Sequence, residues 1–195
     1  MTRKFFWAVL ACLVFVIGCN ASVGADATVG QPAPAFSGTD SHGKTHNLSD
    51  FKGKYVVLEW YNPDCPIVRS KYDPGVMQKL QQEYTKKGIV WLSIDSSAPG
   101  KQGHLTPEQA NAAIKKEKGA PTALLLDPEG KIGRLYGAKT TPHMFIIDPQ
   151  GKLIYNGAID DKANNNYVRT ALDEVLAGKA VSNPTTQPYG CSVKY

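Results

Sequence analysis

The chain has 195 residues, of which 42% are hydrophobic and 20% are charged, and its formal net charge is +5. This length and composition suit one globular domain and exclude a disordered or fibrous protein. The lysines are scattered, and their clusters lie late in helix-like segments, where cations favour the carbonyl end of a helix. We therefore expect solvated helix faces and no nucleic-acid partner.

The first 25 residues have the pattern of an export signal. Arg3 and Lys4 precede an apolar block, residues 5–18, which is shorter than the roughly 20 residues of a membrane-spanning helix. A small-x-small cleavage site ends at Ala25, while a lipoprotein-type signal ends before Cys19 and would add a lipid tether to the membrane. A retained membrane anchor is the third alternative. Either cleavage predicts an exported chain, periplasmic or on the outer surface, with one domain over residues 26–195.

Apolar strands then alternate with helix-like segments along the chain. The predicted strands are Tyr55–Tyr61, Ile89–Ile94, "TALLLD", "MFIID" and "KLIYNG". The first predicted helix is Pro66–Lys87, which Pro74 interrupts, and the second is residues 107–118, which begins with a capping box from Thr106 to Gln109. A short helix and a closing helix from Asn164 to Gly178 follow. This order predicts an α/β sandwich of three layers, with a mixed sheet of about five strands, helices on both faces and a polar tail from about residue 179.

Two cysteines remain after the predicted signal, Cys65 and Cys191. Cys65 stands where a strand meets a helix, and backbone N–H groups there favour the thiolate. An inert buried cysteine is the alternative, but Asn62, Pro63 and Pro66 are typical of a surface turn and favour a reactive thiol. An oxidising compartment would permit a disulfide between the two cysteines. An intermolecular disulfide or an unused thiol at Cys191 remains open.

Three separated stretches carry a family resemblance: "GKYVVLEWYNPDCP", "TTPHMFIIDPQGKLIYNGAIDD" and "ALDEVLAGKAVSNPTTQPYGCSVKY". Together they resemble the thioredoxin-like fold and, within it, the peroxiredoxin-like redoxins related to alkyl hydroperoxide reductase and thiol-specific antioxidant. The resemblance covers about Gly30 to Tyr195. It implies a thioredoxin-like three-layer sandwich.

The resemblance also implies roles for individual residues. Glu59 matches a buried carboxylate that moves protons during disulfide exchange, although strand alternation could instead turn it to solvent or to a lysine. Thr141 and Pro142 match a cis-proline pair that faces the active cysteine and can bind an extended partner chain. Cys191 matches a distant resolving cysteine, which a mobile tail could bring to Cys65.

The pattern departs from these families in several places. Val68 stands where thioredoxins have a second cysteine, Asn62 stands where typical peroxiredoxins have Thr or Ser, and Thr141-Pro142 stands near the position of their arginine. Arg69, one helical turn past Cys65, is a candidate to stabilise a thiolate or a peroxide oxygen. The histidines that lie in loops are not spaced along the sequence as metal ligands are, so we expect no metal and no cofactor.

The sequence therefore predicts an exported antioxidant, thiol-dependent oxidoreductase. Cys65 attacks a peroxide or a protein disulfide, Cys191 or an external thiol resolves the product, and an external thiol reductant restores the enzyme. The alternative is a non-enzymatic adaptor that binds extended peptides at the cis-proline face.

Overall fold

A computed structural model describes residues 27–195. The predicted export signal, including Cys19, lies outside the described residues. The strands are β1 (Ser37–Asp40), β2 (Thr45–Asn47), β3 (Val56–Trp60), β4 (Val90–Asp95), β5 (Ala123–Leu126), β6 (Thr140–Thr141), β7 (Met144–Ile147), β8 (Leu153–Gly157) and β9 (Cys191–Ser192). The helices are α1 (Pro66–Tyr72), α2 (Val76–Lys86), α3 (Pro107–Glu117), α4 (Lys131–Tyr136) and α5 (Tyr167–Leu176), with a short 3-10 helix at Leu48–Phe51. Within residues 27–195, every helix is too short or too polar to cross a membrane.

The central sheet has seven strands in the order β2-β1-β5-β4-β3-β7-β8. Strands β3, β4 and β5 are parallel, and the hairpin of β7 and β8 joins β3 in antiparallel orientation, as predicted. The prediction of about five strands was wrong because it missed β1 and β2. These strands are short and polar, so they lack the apolar pattern that identifies a strand. Their turn is closed by Asp40, which accepts hydrogen bonds from the backbone of His42 and Lys44.

The helices begin and end close to the predicted positions. Pro74 separates α1 from α2, as its missing N–H and rigid ring require. The predicted capping box at α3 is present, with Gln109 donating its backbone N–H to the Thr106 hydroxyl. The closing helix begins at Tyr167 rather than Asn164, because Asn166 caps it by accepting the backbone N–H of Arg169.

Two layers of core residues cover the two faces of the sheet. Val57 packs on the face covered by α1, α2 and α5, whereas Leu58 and Trp60 pack on the face that carries α4. Because side chains alternate along a strand, Glu59 points to the same face as Val57. It is completely buried there.

The polar tail lies against the domain. We call residues 184–195 the strap. Its first part is hydrogen-bonded to β8, since Asn156 donates to the Pro184 carbonyl at 3.0 Å and accepts from Thr186 at 3.2 Å. Farther along, β9 pairs with β6, and Val193 donates to the Lys139 carbonyl at 3.1 Å. A mobile tail was expected from the sequence, but backbone hydrogen bonds hold the strap along its length.

Candidate active site

A tight turn after β3 positions Cys65. The side chain of Asn62 accepts the backbone N–H of Asp64 at 2.8 Å and donates to the Gln102 carbonyl at 3.1 Å. The Cys65 backbone N–H returns to the Asn62 carbonyl at 3.2 Å. Asparagine favours such turns because its side chain can replace a backbone partner. Cys65 is thereby fixed as the N-cap of α1, followed by Pro66 at the first helical position.

The Cys65 thiol is buried against the cis-proline segment. The Thr141-Pro142 peptide bond is cis, as predicted. The Cys65 Sγ donates to the Thr141 carbonyl oxygen at 3.0 Å. The exposed fraction of Cys65 is 0%. The prediction of a surface turn was therefore wrong for Cys65 itself, because its side chain belongs to the buried core, against which Cys191 of the strap also packs.

Cys191, on the strap, lies beside the same cis-proline segment as Cys65. In the antiparallel pair of β6 and β9, Cys191 is opposite Thr141. Both cysteines are free thiols, and Cys191 is partly exposed. Gly190 permits this approach, because a Cβ there would lie 2.0 Å from the Thr141 carbonyl oxygen and its φ is +145°. The structure thus brings together three predicted site residues, Cys65, Cys191 and Thr141.

The local interactions move the two thiol pKa values in opposite directions. Burial raises the pKa of Cys65, but hydrogen bonding from the Cys191 thiol, the nearby Thr141 side chain and the backbone N–H of Val68 together outweigh burial and lower it below the ordinary value. Burial raises the pKa of Cys191, and the adjacent Cys65 raises it further. The first proton therefore leaves this thiol pair mainly from Cys65.

The Thr141 hydroxyl lies near the Cys65 sulfur and can interact with it. Its oxygen is buried and has no hydrogen-bond partner among residues 27–195. Its proximity to Cys65 nevertheless lowers the pKa of that thiol. Since a hydroxyl can donate to an anion, ionisation of Cys65 would give the Thr141 hydroxyl a partner.

Glu59 is held by four hydrogen-bond donors from three elements. They are Tyr72 Oη at 2.8 Å, Gln81 Nε2 at 3.0 Å, Trp91 Nε1 at 2.7 Å and Ser93 Oγ at 3.0 Å. Burial raises the pKa of Glu59, and these hydrogen bonds lower it only in part. Of the two orientations left open by the sequence, the inward one is present, but the donors do not include Cys65. The sequence could have indicated two of these partners, because Ser93 is opposite Glu59 in the parallel register and Trp91 is two residues earlier on the same face.

The backbone N–H of Arg69 donates to the Cys65 carbonyl at 2.9 Å, but the side chain is directed to carboxylates. Its guanidinium forms ion pairs with Asp73 and Glu117. Glu117 also accepts the hydroxyl of Tyr61 at 3.0 Å. These contacts tie α1 to the end of α3, and they direct the charge of Arg69 to carboxylates. The structure therefore pairs the Arg69 guanidinium with carboxylates and shows no contact between it and Cys65 or Cys191 among residues 27–195.

A cavity of about 650 Å³ opens beside Cys191. Its wall combines apolar groups of α1, including Ile67, with Tyr189 and Gly190 of the strap. Lys71 lies at its edge and is paired with Asp160 at 2.6 Å. Of the two thiols, Cys191 is the one that lines this cavity.

His143 follows the cis-proline. Its Nε2 lies 2.8 Å from the Asn156 side-chain oxygen, and its Nδ1 accepts the Lys139 backbone N–H at 3.2 Å. Burial lowers the pKa of His143 to about 4. A neutral ring with Nε2 protonated satisfies both contacts. Across residues 27–195, no three His, Cys, Asp or Glu side chains are arranged to hold a metal ion.

The comparison with protein families agrees with this geometry. The family model described as AhpC/TSA matches residues 29–156, which include Cys65, Glu59 and Thr141. The chain belongs to the AhpC/TSA family. This confirms the family resemblance found in the sequence. Cys191 and the strap lie beyond the matched residues.

Relatives of this AhpC/TSA member include two kinds of thiol enzyme. The thiol-disulfide oxidoreductase ResA of Bacillus thuringiensis is 30% identical over 129 residues, covering 65% of this chain and 67% of ResA. Peroxiredoxin Bcp of Bacillus subtilis is 26% identical over 112 residues, covering 55% of this chain and 62% of Bcp.

Solved structures confirm the fold. An uncharacterized conserved protein from Geobacillus kaustophilus has a TM-score of 0.78 at 26% identity, covering 92% of this chain and 98% of that one. The thioredoxin domain of a thiol-disulfide oxidoreductase from Bacteroides vulgatus has a TM-score of 0.52 at 25% identity, covering 66% of this chain and 87% of that one. The predicted thioredoxin-like sandwich is therefore confirmed, with seven strands in its central sheet.

Proposed function

We propose that this AhpC/TSA member is an exported, thiol-dependent oxidoreductase with peroxiredoxin-like antioxidant activity. Cys65 is the attacking thiol and Cys191 is the resolving thiol. The observation that carries this proposal is the meeting of both cysteines at Thr141, where one donates to its carbonyl oxygen and the other is its strand partner. The opposite pKa shifts of the two thiols support this division of roles.

The peroxide reaction proceeds in two steps. The Cys65 thiolate attacks one peroxide oxygen, the O–O bond breaks, Cys65 becomes a sulfenic acid, and the other oxygen leaves as water or an alcohol after protonation. The Cys191 sulfur then attacks the Cys65 sulfur, the S–S bond forms, and the sulfenic oxygen leaves as water. An external thiol reductant returns the disulfide to two thiols.

A protein disulfide can enter the same sequence. The Cys65 thiolate attacks one sulfur of the substrate and releases the other as a thiol, which leaves a mixed disulfide at Cys65. Attack by Cys191 then releases the second substrate thiol. Both substrates therefore lead to the same Cys65–Cys191 disulfide, and they differ in what is reduced.

Access to Cys65 requires movement of the strap. The pair of β6 and β9 joins only residues 140–141 to residues 191–192. Such short pairs open locally at a small fraction of the free energy of global unfolding. Opening exposes the Cys65 sulfur, and closing returns Cys191 to it.

The alternative of a peptide-binding adaptor is less well supported. An adaptor would offer the backbone of Thr141 to an extended partner. In this structure, the strap of the same chain already pairs with Thr141. An incoming peptide would first have to displace Cys191 from its strand partner.

Other parts of the proposal rest on the sequence pattern. We propose export because Arg3 and Lys4 precede the apolar block of residues 5–18. Lipidation at Cys19 remains the alternative to cleavage after Ala25. Glu59 is proposed as a proton carrier for Cys65 because its buried carboxyl has a raised pKa.

A single-turnover experiment tests the proposed reaction. The reduced full chain is mixed with one equivalent of hydrogen peroxide, and the loss of peroxide and of free thiols is measured in wild type, Cys65→Ser and Cys191→Ser. We expect wild type to lose two thiols per peroxide, Cys191→Ser to lose one and accumulate a sulfenic acid, and Cys65→Ser to lose none. Equal peroxide consumption by Cys65→Ser and wild type would overturn the proposal.

A further inference from the structure

The strap continues past Cys191 for four residues, and these residues make their own contacts with the domain. The Lys194 carbonyl accepts the Ala98 backbone N–H at 2.7 Å, and Val193 donates to Lys139. Tyr195 then reaches α4, and its hydroxyl donates to the carbonyl of Ala138, just past the end of that helix, at 2.8 Å. Cys191 is therefore bounded on one side by Gly190 and on the other by a fixed segment that ends at Tyr195.

The ring of Tyr195 lies in a notch formed by two glycines. A Cβ on Gly130 would lie 2.4 Å from Tyr195 Cδ1, and a Cβ on Gly133 would lie 2.5 Å from both Cε1 and the hydroxyl oxygen. Real Cβ atoms do not approach so closely, so any larger residue at either position would displace the ring or be displaced by it. The Arg134 guanidinium covers the ring at 4.6 Å from its centroid.

Gly133 is unusual because helix α4 itself does not require it. Glycine in a helix interior costs about 0.5–1 kcal/mol relative to alanine. Gly133 lies within α4, and its φ is not positive. The absent side chain is instead required by the close approach of Tyr195 and, on the same side, of the Ser96 hydroxyl oxygen, which a Cβ would meet at 2.9 Å. The notch therefore depends on a residue that weakens its own helix.

This contact bears directly on the closing step of the proposed reaction. The rate of an intramolecular disulfide step depends on how long the two sulfurs spend at reacting distance. The pairing of β9 with β6 covers two residues on each strand. An anchor four residues beyond Cys191 limits the movement of the strap away from that pair.

We propose that Tyr195, held in the notch of Gly130 and Gly133, is a positioning residue that keeps Cys191 at Cys65 for disulfide closure. This inference rests on the proposed function, in which Cys191 resolves Cys65. Tyr195 does not touch the reacting sulfurs. It acts by reducing the time that the strap spends open, and it therefore governs the second step of the reaction.

The test separates the two steps in time. The reduced full chain is mixed with one equivalent of hydrogen peroxide, samples are quenched with a sulfenate-specific trap and an alkylating reagent, and mass spectrometry gives the amounts of Cys65 thiol, sulfenate and disulfide. In Tyr195→Ala and Gly133→Ala, we expect disulfide closure to be slower by about tenfold or more. The first step should not be slowed in either variant, because a looser strap exposes Cys65.

Three further variants distinguish positioning from a general loss of structure. Tyr195→Phe keeps the ring and should close within about threefold of wild type, since it loses one partly exposed hydrogen bond. The double variant Tyr195→Ala/Gly133→Ala should be no slower than the slower single variant, because both changes remove one contact. Gln187→Ala, at an exposed position of the strap, is the matched control and should close at the wild-type rate.

The possible failures have different meanings. Formation of the disulfide at equal rates in wild type, Tyr195→Ala and Gly133→Ala would overturn the role of Tyr195 and leave the proposed function intact. Absence of a Cys65–Cys191 disulfide in wild type would overturn the proposed function. Gly133→Ala keeps the test valid if Tyr195→Ala is unstable, since alanine favours the helix at that position. Its Cβ would also meet the Ser96 hydroxyl oxygen at 2.9 Å, so Ser96→Ala, which removes that second contact and leaves the Tyr195 ring in place, is its control and should close at the wild-type rate.

Discussion

The Cys65 thiol donates to the carbonyl oxygen of Thr141 at a distance of 3.0 Å. The backbone of the same threonine is paired with Cys191. One residue thus sets the position of both sulfurs relative to each other. The site can be tested through this threonine, through the strap that covers it, and through the buried ionisable groups nearby.

Removal of the Thr141 hydroxyl should make Cys65 less acidic. Thr141→Val keeps the shape of the side chain but removes one of the groups that lower the pKa of Cys65. Because a hydrogen bond to a charged group contributes about 1.5–3 kcal/mol, we expect alkylation of Cys65 at pH 7 to slow by about tenfold. The measurement is the rate of alkylation as a function of pH.

Thr140→Val is the matched control for this change. The Thr140 hydroxyl donates to the Pro142 carbonyl at 3.0 Å and does not contribute to the pKa of Cys65. The titration of Cys65 should therefore be that of wild type. An identical titration in Thr141→Val would show that its hydroxyl does not interact with the thiolate.

Displacement of the strap should expose Cys65. In Gly190→Ala, the new Cβ would lie 2.0 Å from the Thr141 carbonyl oxygen, so β9 cannot keep its position. We expect the alkylation rate of Cys65 at its high-pH plateau, which reports access rather than ionisation, to rise by about tenfold or more.

Gly178→Ala provides the comparison for Gly190→Ala. Gly178 also has a positive φ, of +73°, but no atom lies within 4 Å of a Cβ at that position. This variant carries the backbone strain without the clash against Thr141. A plateau rate in Gly190→Ala equal to that of Gly178→Ala would mean that the strap does not control access to Cys65.

His143 should make the protein less stable in acid. Burial lowers the pKa of His143 to about 4, from 6.5. Between these values the unfolded state binds more protons than the folded state, so the free energy of unfolding falls as the pH decreases from 6.5 to 4. The loss should be about 3 kcal/mol. Urea unfolding across this range measures it, and His143→Gln should flatten the curve by that amount. A pH dependence equal to that of wild type would contradict the assignment.

Glu59 should make the free energy of unfolding depend on pH in the opposite direction. Its pKa is raised by burial, so above the ordinary glutamate pKa the folded state holds a proton that the unfolded state has released. The contribution of Glu59 to stability is therefore full at acid pH and falls as the pH rises to the folded-state pKa. In Glu59→Gln, the free energy of unfolding should no longer fall in this way as the pH rises. Urea unfolding from acid to alkaline pH measures the difference.

The amide in Glu59→Gln should also lower stability by about 1–3 kcal/mol at acid pH, because it places donors against the four donors that now face the carboxyl. The proposed proton exchange with Cys65 predicts a changed thiolate titration in the same variant. An unchanged titration of Cys65 would remove Glu59 from the mechanism and leave it as a buried structural group.

Local sequence signals predicted much of the fold. The Thr106 cap, the break at Pro74 and the apolar strand from Tyr55 are each encoded within a few residues, and the structure has each of them. Strands β1 and β2 were missed because their residues carry no apolar alternation. They are specified by pairing: β1 pairs with β5, which is distant in sequence, and β2 pairs with β1.

The site was only partly predictable for a similar reason. Cys65 and Thr141-Pro142 carry recognisable motifs, but the position of Cys191 depends on how the strap crosses the domain. The glycines that receive Tyr195 are more than 60 positions away from it, and no periodicity connects them. Likewise, the burial of Cys65 in the core follows from tertiary contacts that the surface-type turn at Asn62 does not reveal.

The most direct test of the account is a peptide map of the full chain after treatment with one equivalent of hydrogen peroxide. Free thiols are alkylated, the chain is digested without reduction, and the peptides are identified by mass spectrometry. The account predicts one disulfide-linked pair of peptides that contains Cys65 and Cys191, and its return to two alkylated peptides after reduction. Recovery of both cysteines as alkylated thiols, or of Cys191 as a free thiol beside an oxidised Cys65, would contradict it.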